Sequence, residues 1–301
     1  MPFPSGTIGF KTSPQHVDWL LLDETWAAAG ELRAFAAAWM NDHLTDTSDA
    51  GGPSLEALTL MATLIHRVPG TWVGHAVLSN TFRHPAIVAK AATVMDHATG
   101  GRFVLGLGAG WHEREHDAFG IALPAIGERI DRLESAVDTI TALFSRAASE
   151  PPGITRPDPH YPLDRAVNAP PPLSPAGPPI FLGGQRRRGI ALAGRAGSGW
   201  LLPGARAGDV AYLAAKREEL LRVLEANARS SHEFAIVGQV SCGASEADRR
   251  SALATARAMQ SAGASHVILG MAPHLGPDGL GLIAREVAEP LLETPGWAPR
   301  A

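Results

Sequence analysis

Residues 102–120 read RFVLGLGAGWHEREHDAFG, and the way this stretch is parsed decides the fold. His112, Glu113 and His116 fit the zinc-protease spacing H-E-x-x-H, yet the motif opens directly after an apolar run that ends in alternating glycines. Two histidines four apart on a helix do share a face, with Glu113 as the base. A third ligand is still needed, and the extended zincin pattern fails because position 119 is Phe and position 122 is Ala. Glu128 and Glu134 are distant candidates that nothing singles out. The first histidine falls at the very start of the helix, whereas zinc histidines belong inside a long one. No metal is expected. The better parse is a strand, a glycine turn and a helix whose first turn carries Glu113 and Glu115, where the N-terminal dipole favours negative charge.

The same strand–turn–helix unit recurs along the 301 residues. Short apolar, β-branched or aromatic runs predict strands at 7–11, 35–41, 72–78, 103–107, 179–183, 199–202, 234–241 and 265–270. Helical patterns fill the gaps, near 17–30, 54–66, 84–97, 112–118, 125–146, 186–195, 207–228, 245–262 and 278–292. Such alternation implies parallel strands joined by right-handed crossovers. Eight units, with no paired-glycine dinucleotide turn after the first strand (Lys11-Thr12-Ser13-Pro14), favour an α/β fold of the (β/α)8 TIM barrel type over a doubly wound sheet. The expectation is one domain over 1–301. It is interrupted between the fourth and fifth strands by a proline-dense segment, 147–178, that reads as an extended ordered loop beside the active face.

Net charge is −4, so no basic surface argues for nucleic acid, and no apolar run is long enough to suggest a membrane span. The N-terminus lacks the basic and apolar segments of a signal peptide. The lone Cys242 excludes an internal disulfide and a cysteine metal cluster. Together these point to a cytoplasmic protein acting on a small molecule.

Two glycine sites end strands. Gly106, Gly108 and Gly110 would let main chain approach a flat ring or a phosphate closely. Gly183 and Gly184 precede Gln185-Arg186-Arg187-Arg188, where helix N–H groups and guanidinium groups suit an anion. A tight βα turn explains the first set equally well, but one molecule with both a ring and a phosphate would satisfy the two sites together. At the end of the second strand, Trp39-Met40-Asn41-Asp42-His43 supplies a histidine able to move a proton near neutral pH. Asp42 is the adjacent carboxylate expected to orient it.

In these pieces the chain resembles the luciferase-like monooxygenase superfamily, and more closely its branch that uses the deazaflavin coenzyme F420. The matching segments, in family order, are Lys11-Thr12-Ser13-Pro14-Gln15-His16, Asp42-His43, Phe82-Arg83-His84-Pro85-Ala86 and the run from Met95 to Trp111. Then come Glu115 with Phe119-Gly120, Glu128-Arg129 with Arg132, and Pro178-Pro179-Ile180-Phe181-Leu182-Gly183-Gly184. Agreement extends from residue 8 to about 200; beyond that only the βα rhythm is shared.

The resemblance implies a tricyclic cofactor on the C-terminal face of the barrel, its phosphate tail near Gly183, Gly184, Gln185 and Arg186. His43 would lie near the ring carbon that exchanges hydride. A non-proline cis peptide at Ala76-Val77 would back the ring; Ser79, Asn80 and Lys11, with Gly108 and Gly110, would contact the cofactor. Trp111 stands where sugar-phosphate dehydrogenases of this branch carry a catalytic glutamate, and Thr47 where they carry an aromatic, so sugar-phosphate oxidation is not implied. Trp111 is instead expected to stack on cofactor or substrate, in an apolar pocket with Trp39 and Tyr161. The expected activity is hydride transfer between reduced F420 and a small alkene, imine or ketone by a homodimer. An FMN-dependent monooxygenase using oxygen, or a barrel that binds flavin without turnover, are the alternatives.

Overall fold

The computed structural model describes residues 2–47 and 51–300. The elements follow in chain order: β1 (Thr7–Thr12), α1 (Trp19–Glu31), β2 (Ala37–Met40), α2 (Ala57–Leu64), β3 (Trp72–His75), β4 (Leu78–Ser79), α3 (Pro85–Ala98), β5 (Phe103–Gly108), α4 (Glu113–Phe119) and α5 (Ile126–Phe144). A two-stranded excursion, β6 (Ile154–Arg156) and β7 (Leu163–Ala166), comes next. The chain then completes β8 (Ile180–Gly183), α6 (Arg187–Ala196), β9 (Gly199–Leu201), α7 (Val210–Ala226), β10 (Ala235–Cys242), α8 (Glu246–Ser261), β11 (His266–Met271), α9 (Gly276–Ile283) and α10 (Glu289–Leu292).

All barrel pairings are parallel, in the order β3-β2-β1-β11-β10-β9-β8-β5, and β3 closes the ring by pairing with β5 through Val73↔Phe103. β4 continues the β3 position, pairing Ser79 with Gly108. The cis peptide Ala76-Val77 separates the two halves. The result is the closed eight-stranded TIM barrel that the βα rhythm implies.

Side chains alternate between two cores. On β2, Ala38 and Met40 face the helices, while Ala37 and Trp39 join Trp72, Val104, Phe181, Leu201, Val237 and Ile268 inside the barrel. Large and small residues are matched there: a Cβ at Gly9 would lie 2.7 Å from Trp39 Nε1, and one at Gly74 would lie 2.8 Å from the same indole. Phe3, ahead of β1, closes the base by edge contacts with Trp39, Trp72, Phe181 and His266.

The proline-dense segment differs from the expected loop, because β6 and β7 form an antiparallel hairpin. Local hydrogen bonds replace the missing apolar period. Asp158 accepts the N–H groups of His160 and Tyr161 at 2.8 Å and a bond from Arg156 at 2.7 Å. Buried Asn168 donates to Leu143 O and Thr93 Oγ1, pinning the segment to α5 and α3. The last predicted helix, 278–292, is interrupted by a π turn at Ala284–Ala288 between α9 and α10. No helix among the described residues is long and apolar enough to cross a membrane.

Candidate active site

The C-terminal rim gathers most of the expected side chains. His43 follows β2, with its side chain 14% exposed, and its Nδ1 lies 3.0 Å from Glu115 Oε1 on α4. Burial raises the Glu115 carboxyl, but bonds from the His43 ring and the Leu44 N–H outweigh it and hold the group below its usual value. An ionised Glu115 fixes the proton of a neutral His43 on Nδ1 and leaves the Nε2 lone pair for chemistry.

Asp42 does not orient His43. Neighbouring residues at a strand end project to opposite sides, and Asp42 turns away to bind both guanidinium nitrogens of Arg83, at 2.7 and 2.9 Å, and the Ser79 N–H at 2.8 Å. Arg83 also pairs with Glu56, whose carboxylate caps α2 through the Leu58 and Thr59 N–H groups. Burial would raise Glu56, yet Thr59 and Arg83 bring it down to about 2. This ionic knot joins the loops after β2 and β4 to the start of α2.

Trp39 also departs from expectation. It is fully buried inside the barrel, near parallel to Phe181, and its Nε1 donates to His266 Nε2 at 3.1 Å. With Phe3 sealing that layer, the indole meets no substrate. Trp111 sits on the rim instead, 64% exposed, with its ring edge-on to His43 at 5.7 Å. Tyr161, on the hairpin, is buried and touches His84 edge-on while its hydroxyl accepts from Asn80 Nδ2 at 3.5 Å.

The glycines serve the frame first. A Cβ at Gly106 would strike the His75 carbonyl oxygen at 1.8 Å; one at Gly108 would lie 2.7 Å from Val77 Cγ2, and one at Gly183 3.4 Å from the same methyl. Gly108 and Gly183 therefore flank a single side chain at one end of the barrel. Gly184 lies where a Cβ would be 2.8 Å from Gly189 Cα, which lets α6 pack tightly. Gly110, at φ +78°, faces the Ser79 and Thr81 hydroxyls.

Arg186 is the N-cap of α6 without a side-chain cap bond, so the backbone N–H groups of the first turn have no side-chain acceptor there. Gln185 and Arg186 are exposed beside it, whereas Arg188 is committed to Asp131 and Glu134. Lys11, at the end of β1, donates to Gln239 Oε1 at 2.5 Å, and burial lowers its ammonium to about 8.

Of the two histidines in the H-E-x-x-H spacing, His116 is engaged at both ring nitrogens, whereas His112 Nδ1 is buried without a hydrogen-bond partner. His116 Nδ1 donates to the His112 carbonyl at 2.7 Å, and its Nε2 meets Thr81 Oγ1 at 2.7 Å. Thr81 in turn is 2.6 Å from Ser79 Oγ. Among the described residues no group of three metal-ligating side chains converges.

The sequence profile of the luciferase-like monooxygenase family matches residues 24–285. The chain belongs to this family. An F420-dependent glucose-6-phosphate dehydrogenase of Kribbella flavida is 32% identical over 195 residues, covering 64% of this chain and 56% of that one. An F420-dependent hydroxymycolic acid dehydrogenase of Mycobacterium tuberculosis is 32% identical over 194 residues, covering 63% and 51%. The matches to these curated relatives thus span little more than half of their length.

An F420-dependent secondary alcohol dehydrogenase bound to an F420–acetone adduct superposes with a TM-score of 0.77 at 16% identity, covering 95% of this chain and 99% of that one. A riboflavin lyase with modified FMN gives 0.76 at 15%, covering 99% and 93%. At such identities the likeness establishes a shared fold. Within the luciferase-like family the sequence left two functional placements unread. Glu115 stood in the family pattern with no role attached, and Arg83 carried no signal beyond its place after Phe82.

Proposed function

We propose that the protein is an oxidoreductase that uses coenzyme F420 to move a hydride to or from a small organic substrate with a reducible alkene, imine or ketone group. The observation that carries this reading is the His43–Glu115 pair, which leaves one ring nitrogen uncommitted at the mouth of the barrel. The names of the F420-dependent relatives support the coenzyme assignment.

The residues present fit such a group. The Ala76-Val77 segment would back a planar ring, with the Val77 methyls seated between Gly108 and Gly183. Ser79, Asn80, Gly110 and Lys11 would border it. Gly184, Gln185 and Arg186 at the unclaimed first turn of α6 would take the phosphate. Bound there, the deazaflavin supplies or accepts the hydride. His43 holds or releases a proton at Nε2, Glu115 keeps its ring oriented and stabilises the charged form, and Trp111 screens the histidine from water on one side. Tyr161 would border the substrate. We read residues 1–301 as one catalytic domain that works as a homodimer in the cytoplasm.

Titrating F420 and FMN separately while following fluorescence tests the assignment. Binding of F420 with hydride transfer on added substrate is expected; FMN binding accompanied by oxygen uptake would overturn it. Tight binding with no turnover on any substrate would instead favour a carrier.

A further inference from the structure

We propose that the cavity between the loop after β4, α5 and the hairpin binds an oxyanion, a carboxylate or phosphate group, through the Arg129 guanidinium. The cavity holds about 230 Å³ and is lined by Asn80, His84, Pro124, Arg129, Arg132 and Tyr161 among others. At roughly 30 Å³ per water, that is room for a phosphate, or for a carboxylate with several carbons.

Charge accounting singles out Arg129. Of the three guanidinium groups on the wall, Arg83 is neutralised by Asp42 and Glu56, and Arg132 by Glu128. Arg129 has no carboxylate partner among the described residues. Its Nη1 donates to the Gly110 carbonyl at 2.8 Å, and its Nε is buried with no hydrogen-bond partner. A buried guanidinium donor left unpaired is costly. With Nη1 given to Gly110 and Nε screened from solvent, the terminal Nη2, which makes no hydrogen bond among the described residues, is the donor that a carboxylate or phosphate in the cavity would meet.

The rest of the wall is also rich in donors. His84 Nδ1 accepts the Ala86 N–H at 3.2 Å, so the neutral ring carries its proton on Nε2. The Tyr161 hydroxyl accepts from Asn80 and keeps its own proton to donate. Both Asn80 and Tyr161 are at least nine-tenths buried. A ligand here must bring acceptors, and the guanidinium asks that they be charged.

The wall begins at Asn80, whose N–H bonds Gly108 O on the rim, so one end of a molecule lying at the rim would reach it. Two sources share this chemistry, an acidic arm of the substrate and an anionic part of the coenzyme's tail other than the phosphate assigned to the first turn of α6. Naming those sources rests on the proposed function; anion binding itself does not.

The test starts from the protein without coenzyme. Inorganic phosphate, added at constant ionic strength, should raise the melting temperature saturably in the wild type. Arg129→Gln should bind at least about tenfold more weakly, as loss of a charge-assisted pair implies, and Tyr161→Phe a few-fold more weakly. An equal response in Arg129→Gln, or none in the wild type, overturns the site. Should Arg129→Gln fail to fold, the wild-type Arg129 Nε–H resonance decides: a shift on phosphate titration supports the site and its absence refutes it.

Fluorescence titration with F420 and with its ring portion lacking the phosphate tail then assigns the source. Weakening by Arg129→Gln confined to the full coenzyme marks the coenzyme arm. Unchanged binding of both, with a raised KM for acidic substrates alone, marks the substrate. If neither ring compound binds while the phosphate response persists, the F420 reading fails and the anion site stands.

Discussion

Two histidine environments lie at opposite ends of this barrel, and they differ in what they leave unused. At the base, His266 is fully enclosed: Nε2 accepts from Trp39, and Nδ1 lies 2.9 Å from Thr7 Oγ1, which itself donates to Pro4 O. Burial drives its ring down to about 3. At the rim, His43 has one nitrogen held by Glu115 and the other without a hydrogen-bond partner among the described residues. The same side chain is a structural strut in one place and, in the function proposed above, a proton carrier in the other. What separates them is residual hydrogen-bonding capacity: His266 has both ring nitrogens engaged, and His43 only one.

The sharpest way to break this comparison is to replace each histidine's function. His43→Gln should keep the fold and lower kcat/KM by about 10²–10⁴-fold, the range for a lost general acid–base. Steady-state kinetics checks it, and unchanged turnover would put the proton elsewhere.

The buried pair His75 and His266 makes the opposite prediction, on stability. Burial lowers them to about 4 and about 3 from an ordinary 6.5. As pH falls below about 6.5 the unfolded chain takes up their protons first, so stability present above that value is lost progressively toward pH 3. Each contributes up to about 1.4 kcal/mol per pH unit, which urea unfolding at a series of pH values will show.

A smaller effect is expected from Glu115→Gln, which retains the geometry but removes the charge facing His43. Roughly a tenfold loss in kcat/KM is expected, with little change in melting temperature, because the ring loses the charged acceptor that orients it. A variant that merely loses stability while keeping kcat/KM would reduce Glu115 to a packing residue. Smallest of all, Trp39→Phe removes the donor to His266 Nε2. It should cost about 1–2 kcal/mol of stability and leave KM unchanged, because the indole lies beneath the reacting face.

Much of the architecture was legible because period and punctuation carry it. The strand ending LGLGAG and the βα rhythm around it specify a parallel barrel, and the structure closes β3 onto β5 as that requires. The site was readable in part. His43 stands out as a titratable group at a strand end. Its partner does not, since Glu115 lies 72 positions away and the adjacent Asp42 offers a shorter and mistaken answer.

The glycines illustrate the same limit. Their spacing signals close approach but not by what, and in the structure Val77 and the His75 carbonyl occupy the space that they leave. Trp39 was misplaced because sequence cannot tell which of two alternating faces points toward the sealed base. The hairpin escaped notice because it is held by Asp158 and Asn168 through polar contacts rather than by an apolar repeat.

The knot of Asp42, Arg83 and Glu56 has a consequence for how such a protein changes. It ties Ser79, the His43 segment and the cap of α2 into one rigid collar, so altering any member disturbs all three. New substrate preferences are therefore more readily acquired through parts outside the collar. The hairpin bearing Tyr161 stands outside the collar, held instead by the bonds of Asp158 and Asn168.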